Sequence, residues 1–326
     1  MNAVDHNNVV IFDDRGIPSI MCRFVRPKDT EEVPAVFKIG DKVADAIYIS
    51  KYPNIVIDGR AYSMPMADPT VNITFDGAVQ ACRCKGLGWH LMTAVEYEYL
   101  LNQSREKGTM PHGNTDWGKD YYHNDEQGKV SNLGRTYTGT GPVTWNHDHT
   151  PYGVSDLNGN VWEWLAGLRI KDGVIEFIPD NKAASPYCDL SKDSAEWQQA
   201  ETSKGPVRAN VECGEITITD AVAADDYDPD YDGVRIEKLE VELSEIPQVL
   251  KDLGIIPDKR AEEEGKTYVY FDATEGEYMP LRGSAFDGTS NSGPSALDLD
   301  YPRSYSNVSI GFRSAFYEVN GKLITE

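Results

Sequence analysis

The stretch from Leu281 to Arg313 constrains this chain most, because its two kinds of residue answer to different demands. Small, apolar and glycine residues recur through it: Gly283, Gly293, Ala296, Leu297, Leu299, Ile310, Gly311 and Phe312. They read as the frame of a folded domain. Between them sit Ala285, Asp287, Asn291, Asp298, Asp300, Tyr301, Tyr305, Asn307 and Ser309, with neither a helical period nor a short polar motif that chemistry would need. A fixed frame with an arbitrary filling is the profile of a binding surface. The frame removes the ordering cost of contact, and the side chains on it choose the partner.

With 326 residues and 40% hydrophobic content, the chain can bury a substantial core, as one large domain with insertions or as two smaller ones. Its 53 acidic residues outweigh 31 Lys and Arg, leaving a formal charge of −22. Nucleic acid is excluded as a partner on that ground, and an anionic membrane surface is disfavoured. Met1 to Asp14 lacks a charged n-region and an apolar h-region, and no stretch approaches the ~20 apolar residues of a membrane span. The expectation is therefore no signal peptide, no membrane insertion and a chain that starts near Met1. An outside role would then require cytoplasmic synthesis and release, as on a virus particle. Five cysteines, Cys22, Cys82, Cys84, Cys188 and Cys213, form no disulfide framework and suit a reducing compartment. Cys82-x-Cys84 lacks a second pair to complete a metal site, so plain thiols are expected.

The clearest helix starts at Thr93, where Thr93-Ala-Val-Glu96 is a capping box, Leu100 and Leu101 continue an apolar side and Gly108 follows a plausible end. A second covers Phe75 to Lys85 with Thr74 as N-cap, and a short third follows Pro247 and ends at Gly254. Short strands are expected at Ala46 to Ser50, Val161 to Leu165, Gly173 to Ile178, Thr267 to Phe271 and Ile310 to Phe316. The class is α+β with much irregular structure. Residues 1–44 read as an N-terminal segment and 45–326 as one domain. The acidic stretch at about 183–276 is an insertion in that domain or a separate subdomain.

Tyr152 to Trp164 is the densest motif. Asn158-Gly159 allows positive φ at a tight turn, and Val161, Trp162 and Trp164 supply a large buried mass after it. A turn feeding a core strand is expected. Carbohydrate stacking on the tryptophans is the alternative.

Asn158 to Trp164, Trp89 to Tyr99 and Gly311-Phe312-Arg313 resemble the formylglycine-generating-enzyme branch of the C-type lectin fold, in that family's order and across Tyr48 to Phe316. Within the branch, Pro111 to Asp120, Thr138 to Pro142, Trp145 to Asp148 and Leu281 to Arg313 are similar to variable proteins of diversity-generating retroelements, found in phages, archaeal viruses and cellular genomes. In such systems an error-prone reverse transcriptase rewrites adenines, chiefly in Asn codons of a C-terminal repeat. The resemblance implies a hypervariable ligand-binding region at 281–313. It places variable codons at Ala285, Asp287, Gly288, Asn291, Asp298, Asp300, Tyr301, Tyr305, Asn307, Val308 and Ser309, with Phe286 as a further member. All eleven residues of the first group are reachable from Asn by such changes. The plain alternative is a solvated loop of ordinary Ser, Asp and Asn content.

The implied function is receptor recognition without catalysis or cofactor. Such a protein would be displayed on a virion or cell surface and bind a protein or glycan ligand of a host or neighbouring cell. A non-diversified structural protein of a virion or surface is the second reading. A formylglycine-generating oxidase is the third, but the copper chemistry of those relatives needs paired cysteines near the C-terminal end, and no cysteine follows Cys213. His147-x-His149 is expected in a surface turn rather than at a metal. Asp228-Pro-Asp230-Tyr-Asp232-Gly233 has the first half of a calcium loop's spacing, but Leu239 stands where Glu is required. A solvated acidic loop is expected there, with a weak calcium site as the alternative.

Overall fold

The computed structural model describes residues 6–224 and 227–323. In chain order the principal elements begin with strands β1 (His6–Phe12), β2 (Pro18–Val25) and β3 (Ala46–Ser50). Helix α1 (Phe75–Arg83), strand β4 (His90–Leu91) and helix α2 (Ala94–Lys107) follow. Then come β5 (Trp162–Trp164), β6 (Leu168–Lys171), β7 (Val174–Phe177), β8 (Arg208–Glu212), β9 (Glu215–Thr219), β10 (Tyr231–Arg235) and β11 (Glu240–Glu242). The last part holds α3 (Gln248–Asp252), β12 (Tyr268–Asp272), β13 (Glu277–Arg282), β14 (Leu297–Tyr301), β15 (Ile310–Phe312) and β16 (Ser314–Val319).

These strands make two main sheets. A six-stranded sheet runs β1-β2-β3-β16, with β4 on β16 and a short strand at Lys322–Leu323. Strands β1 and β2, which precede residue 45, are thus paired into it, β2 directly with β3. A twelve-stranded sheet runs β10-β12-β14-β13-β6-β7-β8-β9-β11, and β5 branches from β13 to carry β15. The acidic stretch extends this sheet beyond β7 through β8, β9 and β11.

The two long helices form where local sequence dictates. Thr74 caps α1 by accepting from the Gly77 amide at 3.1 Å. On α2, Thr93 Oγ1 accepts from the Glu96 amide at 3.2 Å and Glu96 Oε2 accepts from the Thr93 amide at 2.9 Å, while Gly108 ends the helix at φ 65°. Helix α2 is packed on most sides: Tyr97, Leu100 and Leu101 are buried, and so are Glu98 and Arg105. Those two charges are tolerable because they are paired. Arg105 bonds Glu98 and also Glu264 at 2.8 Å, and Glu98 takes Arg282 of β13 at 3.1 Å. The third helix is a single turn behind Pro247.

Ile310 to Phe316 is not one strand, as the sequence suggests, but two. Ile310–Phe312 pairs with β5 in the larger sheet and Ser314–Val319 with β3 in the smaller one, so the chain changes sheets at Arg313. The physical reason is the Arg313 side chain, which is fully buried. Its Nε donates to Glu163 Oε2 at 2.6 Å and its Nη2 to Glu163 Oε1, while Nη1 reaches the Ser50 carbonyl at 3.1 Å and Nη2 those of Ser155 and Asp156 at 3.1 and 3.3 Å. The interrupted backbone is also satisfied. Asn54 donates from its amide to the Phe312 carbonyl at 2.9 Å and accepts from the Ser314 amide on Oδ1 at 2.6 Å.

Removing either partner of this pair strands a buried charge. Arg313→Met or Glu163→Gln should each cost about 3–5 kcal/mol in chemical denaturation. A loss below about 1 kcal/mol would mean that the pair does not hold the sheets together.

Asp156 lies beside this junction, fully buried, with its Oδ2 accepting from the Gly139 amide at 2.8 Å. Burial pushes its carboxyl from 3.8 up to about 6, against the pull of that hydrogen bond and of Arg313. A carboxyl raised by folding favours the folded state while protonated, below its ordinary pKa, and that advantage is lost as the pH rises through about 6. Asp156→Asn keeps the acceptor and tolerates the residue's φ of 59°. The variant should be more stable than the parent by on the order of 2 kcal/mol at pH 8, with the gap closing toward pH 4, as read by urea titrations at both pH values.

A candidate ligand-binding cleft

The segment from Ser284 to Ser309 runs from the end of β13 through β14 to the start of β15, and its backbone is fixed by groups elsewhere in the chain. At its start Gly283 has φ 89°, and a Cβ there would lie 2.5 Å from the Leu157 carbonyl oxygen, so only glycine fits. The Gly159 amide donates to the Gly283 carbonyl at 2.7 Å. The Trp117 amide bonds the Phe286 carbonyl at 2.8 Å, the Thr289 amide bonds the Thr115 carbonyl at 2.9 Å, and Tyr122 Oη donates to the Ser290 carbonyl at 3.0 Å. Tyr97 of α2 donates to the carbonyls of Leu157 and Pro294, both at 2.8 Å, and Ser295 bonds Glu264.

The second half is pinned in the same way. The amides of Asn72 and Trp162 reach the carbonyls of Asn307 and Ser309 at 2.9 and 2.8 Å, and Arg135 reaches that of Val308 at 2.9 Å. Arg303 grips Glu277 at 2.6 Å and Asp76 at 2.9 Å.

A cleft of about 390 Å³ opens between residues 284–292 and β14. Asp287, Gly288, Asn291, Asp298, Asp300 and Tyr301 line it, six of the twelve residues expected from sequence. Tyr305 stacks on Tyr301 with ring centroids 4.1 Å apart and planes 12° from parallel, and Asn307 Nδ2 donates to Tyr305 Oη at 3.2 Å. Val308 is exposed and Ser309 half-buried beside them. Ala285 and Phe286 face inward instead. Phe286 is 3% exposed and meets the Trp117 ring edge-on at 5.0 Å. Among the described residues, the side-chain hydrogen bonds of the twelve run to one another or to neighbours within the same segment, apart from the contact of Asn291 with Tyr270.

Trp162, Tyr270, Ser284, Thr289 and Ser292 complete the lining. Tyr270 arrives through the parallel pairing of β12 with β14, which sets it opposite Asp298, a register that no local pattern announces. Trp162 shares a strand face with the buried Trp164, and its partial exposure depends on where β5 ends. Ser284 and Thr289 hold φ of 66° and 49°, a strained left-handed backbone on non-glycine residues.

The cleft is acidic and its carboxylates are crowded. The Asp300 amide donates to Asp298 Oδ1 at 3.1 Å. Burial, then the charge of Asp300, pushes the Asp298 carboxyl well up, and burial likewise raises Asp300. Tyr270 is pushed to about 12 by burial and by Asp298, so its phenol stays protonated.

The histidine pair lies elsewhere, in a turn as expected, but with His147 buried and His149 half-buried rather than both at the surface. His147 is buried, with Nδ1 accepting from the Val154 amide at 2.8 Å, and its carbonyl takes the hydroxyls of Ser104 and Thr109. The neighbouring α2 covers it, a contact that no local pattern reveals. Of the acidic run at 228–233, Tyr231 onward is strand β10, and Asp230 and Asp232 each accept from the following amide. Among the described residues no three His, Cys, Asp or Glu gather as ligands for a metal ion. Nor is any helix among them long and apolar enough to cross a membrane.

Residues 51–206 match the family model of the sulfatase-modifying factor enzyme 1-like domain. Over 105 residues the chain is 36% identical to the formylglycine-generating enzyme of Mus musculus, a stretch that is 30% of this chain and 27% of that enzyme. Among solved structures, PvdO from Pseudomonas aeruginosa is similar at 13% identity, TM-score 0.38, covering 95% of this chain and 98% of that one. The Major Tropism Determinant I1 variant is similar at 12% identity and TM-score 0.36, over 97% of this chain and 56% of that one. For Treponema denticola variable protein 1 the values are 11%, 0.36, 95% and 99%. Likeness at these scores says nothing of ligand or activity. The chain is an α+β protein in which residues 51–206 carry the match to that domain, and the cleft lies mostly beyond it.

Burial separates the twelve residues into two groups. Phe286→Ala should cost about 3–5 kcal/mol in chemical denaturation, as for a core aromatic. Asp287→Ala and Val308→Ala should change stability by less than about 0.5 kcal/mol. Comparable losses at all three would make the whole segment structural.

Proposed function

We propose that this chain is a ligand-binding protein whose cleft residues differ between copies, diversified in the manner of the variable proteins of diversity-generating retroelements. It would be displayed on a virus particle or cell surface to recognise a protein or glycan of a host or neighbouring cell. Binding of this kind calls for no catalysis and no cofactor. The observation that carries the reading is the division of labour in residues 284–309. Their course is set by backbone bonds to Gly159, Thr115, Trp117, Asn72 and Trp162 and by Arg135 and Arg303, while most of the side chains at issue bond only within the segment. Such side chains can change without moving the backbone that presents them. Tyr301 and Tyr305 supply stacked aromatic area at low entropy cost, as binding anchors do.

The matched domain and the likeness to a formylglycine-generating enzyme favour a second reading, oxidation of a substrate cysteine. Against it stands the burial of three of the five thiols. Burial pushes Cys22 up to about 12 and Cys188 to about 11 and raises Cys82 as well, which disfavours the thiolate that copper requires, while Cys84 and Cys213 are exposed. A structural protein with one fixed contact remains the third class.

Deep sequencing of the gene and its flanking DNA across a natural population tests the proposal. Substitutions should concentrate in codons 284–309, at positions that are adenines in a neighbouring near-copy. An even spread of changes with no near-copy would leave a protein with a fixed contact.

A further inference from the structure

Within the binding reading, on which this inference rests, we propose that the cleft takes a single organic cation, the ammonium or guanidinium of a Lys or Arg side chain presented by a protein partner, seated at Asp298 and Asp300 against Tyr301 and Tyr270.

The first observation is a pair of carboxyl groups that hydrogen-bond to each other and have no counter-cation among the described residues. Asp298 is 5% exposed, and Asp300 Oδ1 is buried without a partner. Among the described residues no Lys or Arg forms an ion pair with Asp287, Asp298 or Asp300. The other charge that acts on Asp300 is Asp272, also an acid. Two other buried carboxylates have arginine partners, Glu163 with Arg313 and Glu98 with Arg105 and Arg282, while buried Asp156 at least accepts from the Gly139 amide. A buried carboxylate with no counter-charge either holds a proton or waits for a cation.

The second observation is independent of charge. Ser284 and Ser292 are 2% and 7% exposed, both line the cleft, and neither hydroxyl oxygen has a partner. Buried hydroxyls normally find one. A guanidinium brings five N–H donors, enough to serve both carboxyls and both oxygens together, and an ammonium brings three, enough for both carboxyls and one of the oxygens.

Aromatic rings line the same cleft: Tyr301, backed by Tyr305 at 4.1 Å, and Tyr270, residue types to which an organic cation is attracted. A phosphate or carboxylate ligand finds no basic group in the lining. A purely apolar ligand would leave the acids and hydroxyls unmet. A bare metal ion would need more oxygen ligands than gather here. Because burial raises both carboxyls, and the charge of Asp300 raises Asp298 further, cation binding displaces a proton, and affinity should rise with pH from the ordinary carboxylate range upward.

The test is selection from a random heptapeptide display library on the immobilised full chain at pH 7.5, followed by calorimetric titration of synthetic enriched peptides. The enriched peptides should carry Lys or Arg at one aligned position, and norleucine there should weaken binding at least tenfold. An Asp298→Asn, Asp300→Asn double variant should lose at least tenfold while its melting temperature does not fall, since Asn keeps the volume and the acceptor for the residue-300 amide. Tyr305→Ala, which leaves the carboxyls intact, reports cleft binding of any kind. Peptides that depend on Tyr305 but tolerate norleucine or the double variant would overturn the cation while leaving the binding reading in place. Peptides indifferent to both sets of substitutions would overturn both. Calcium chloride displacing the peptides, and raising the melting temperature by itself, would overturn the organic cation in favour of a metal.

Discussion

The buried pair of Arg313 and Glu163 is the interaction on which the arrangement of the two sheets depends. Every strand but those two residues' own could be paired without it, yet the chain could not pass from β15 in one sheet to β16 in the other at this angle. One guanidinium closes the junction by bonding Glu163 and the carbonyls of Ser50, Ser155 and Asp156, which come from three separate parts of the chain. Desolvating an arginine is costly, and only this near-complete set of acceptors offsets it. Such a site demands geometry that Lys cannot reproduce, because an ammonium lacks the planar fork.

From that junction the cleft inherits its rigidity. Glu163 sits between Trp162 and Trp164 on β5, so the strand that Arg313 anchors also supplies the Trp162 wall and the amide that holds Ser309. On the far side, Arg105, Glu98, Arg282 and Glu264 tie α2 to β13 and to Ser295, which fixes the other end of the segment. A surface held at both ends by buried ionic networks tolerates change in its outward side chains. The acidic interior of the cleft comes from Asp298 and Asp300, not from the residues that hold its backbone.

Local chemistry was legible in the sequence. The Thr93–Glu96 capping box, the Thr74 cap and the Gly108 terminus each depend on residues within one helical turn, and each helix forms where those signals lie. Strand β3 is found at Ala46–Ser50 because a run of apolar β-formers needs no distant help to be recognised. The break at Arg313 was not legible, since an arginine between apolar runs looks like any strand residue until its partner Glu163, 150 positions away, is placed. His147 was misread for the same reason: Asp148 and Pro151 suggest a turn at the surface, and only the packing of α2 buries it.

The candidate site divides along the same line. The sequence by itself marked Gly283, Leu297, Leu299 and Phe312 as frame, because glycine and apolar side chains there serve close approach and burial, and all four are buried. It also determined the acidic character of the filling. Only the tertiary structure decided that Ala285 and Phe286 turn inward, that Tyr270 from another strand stands opposite Asp298, and that Ser284 and Ser292 bring unpaired hydroxyls to the same cleft. Those facts depend on sheet register and on contacts between distant segments, and a single residue's slip in register would send each side chain to the other face.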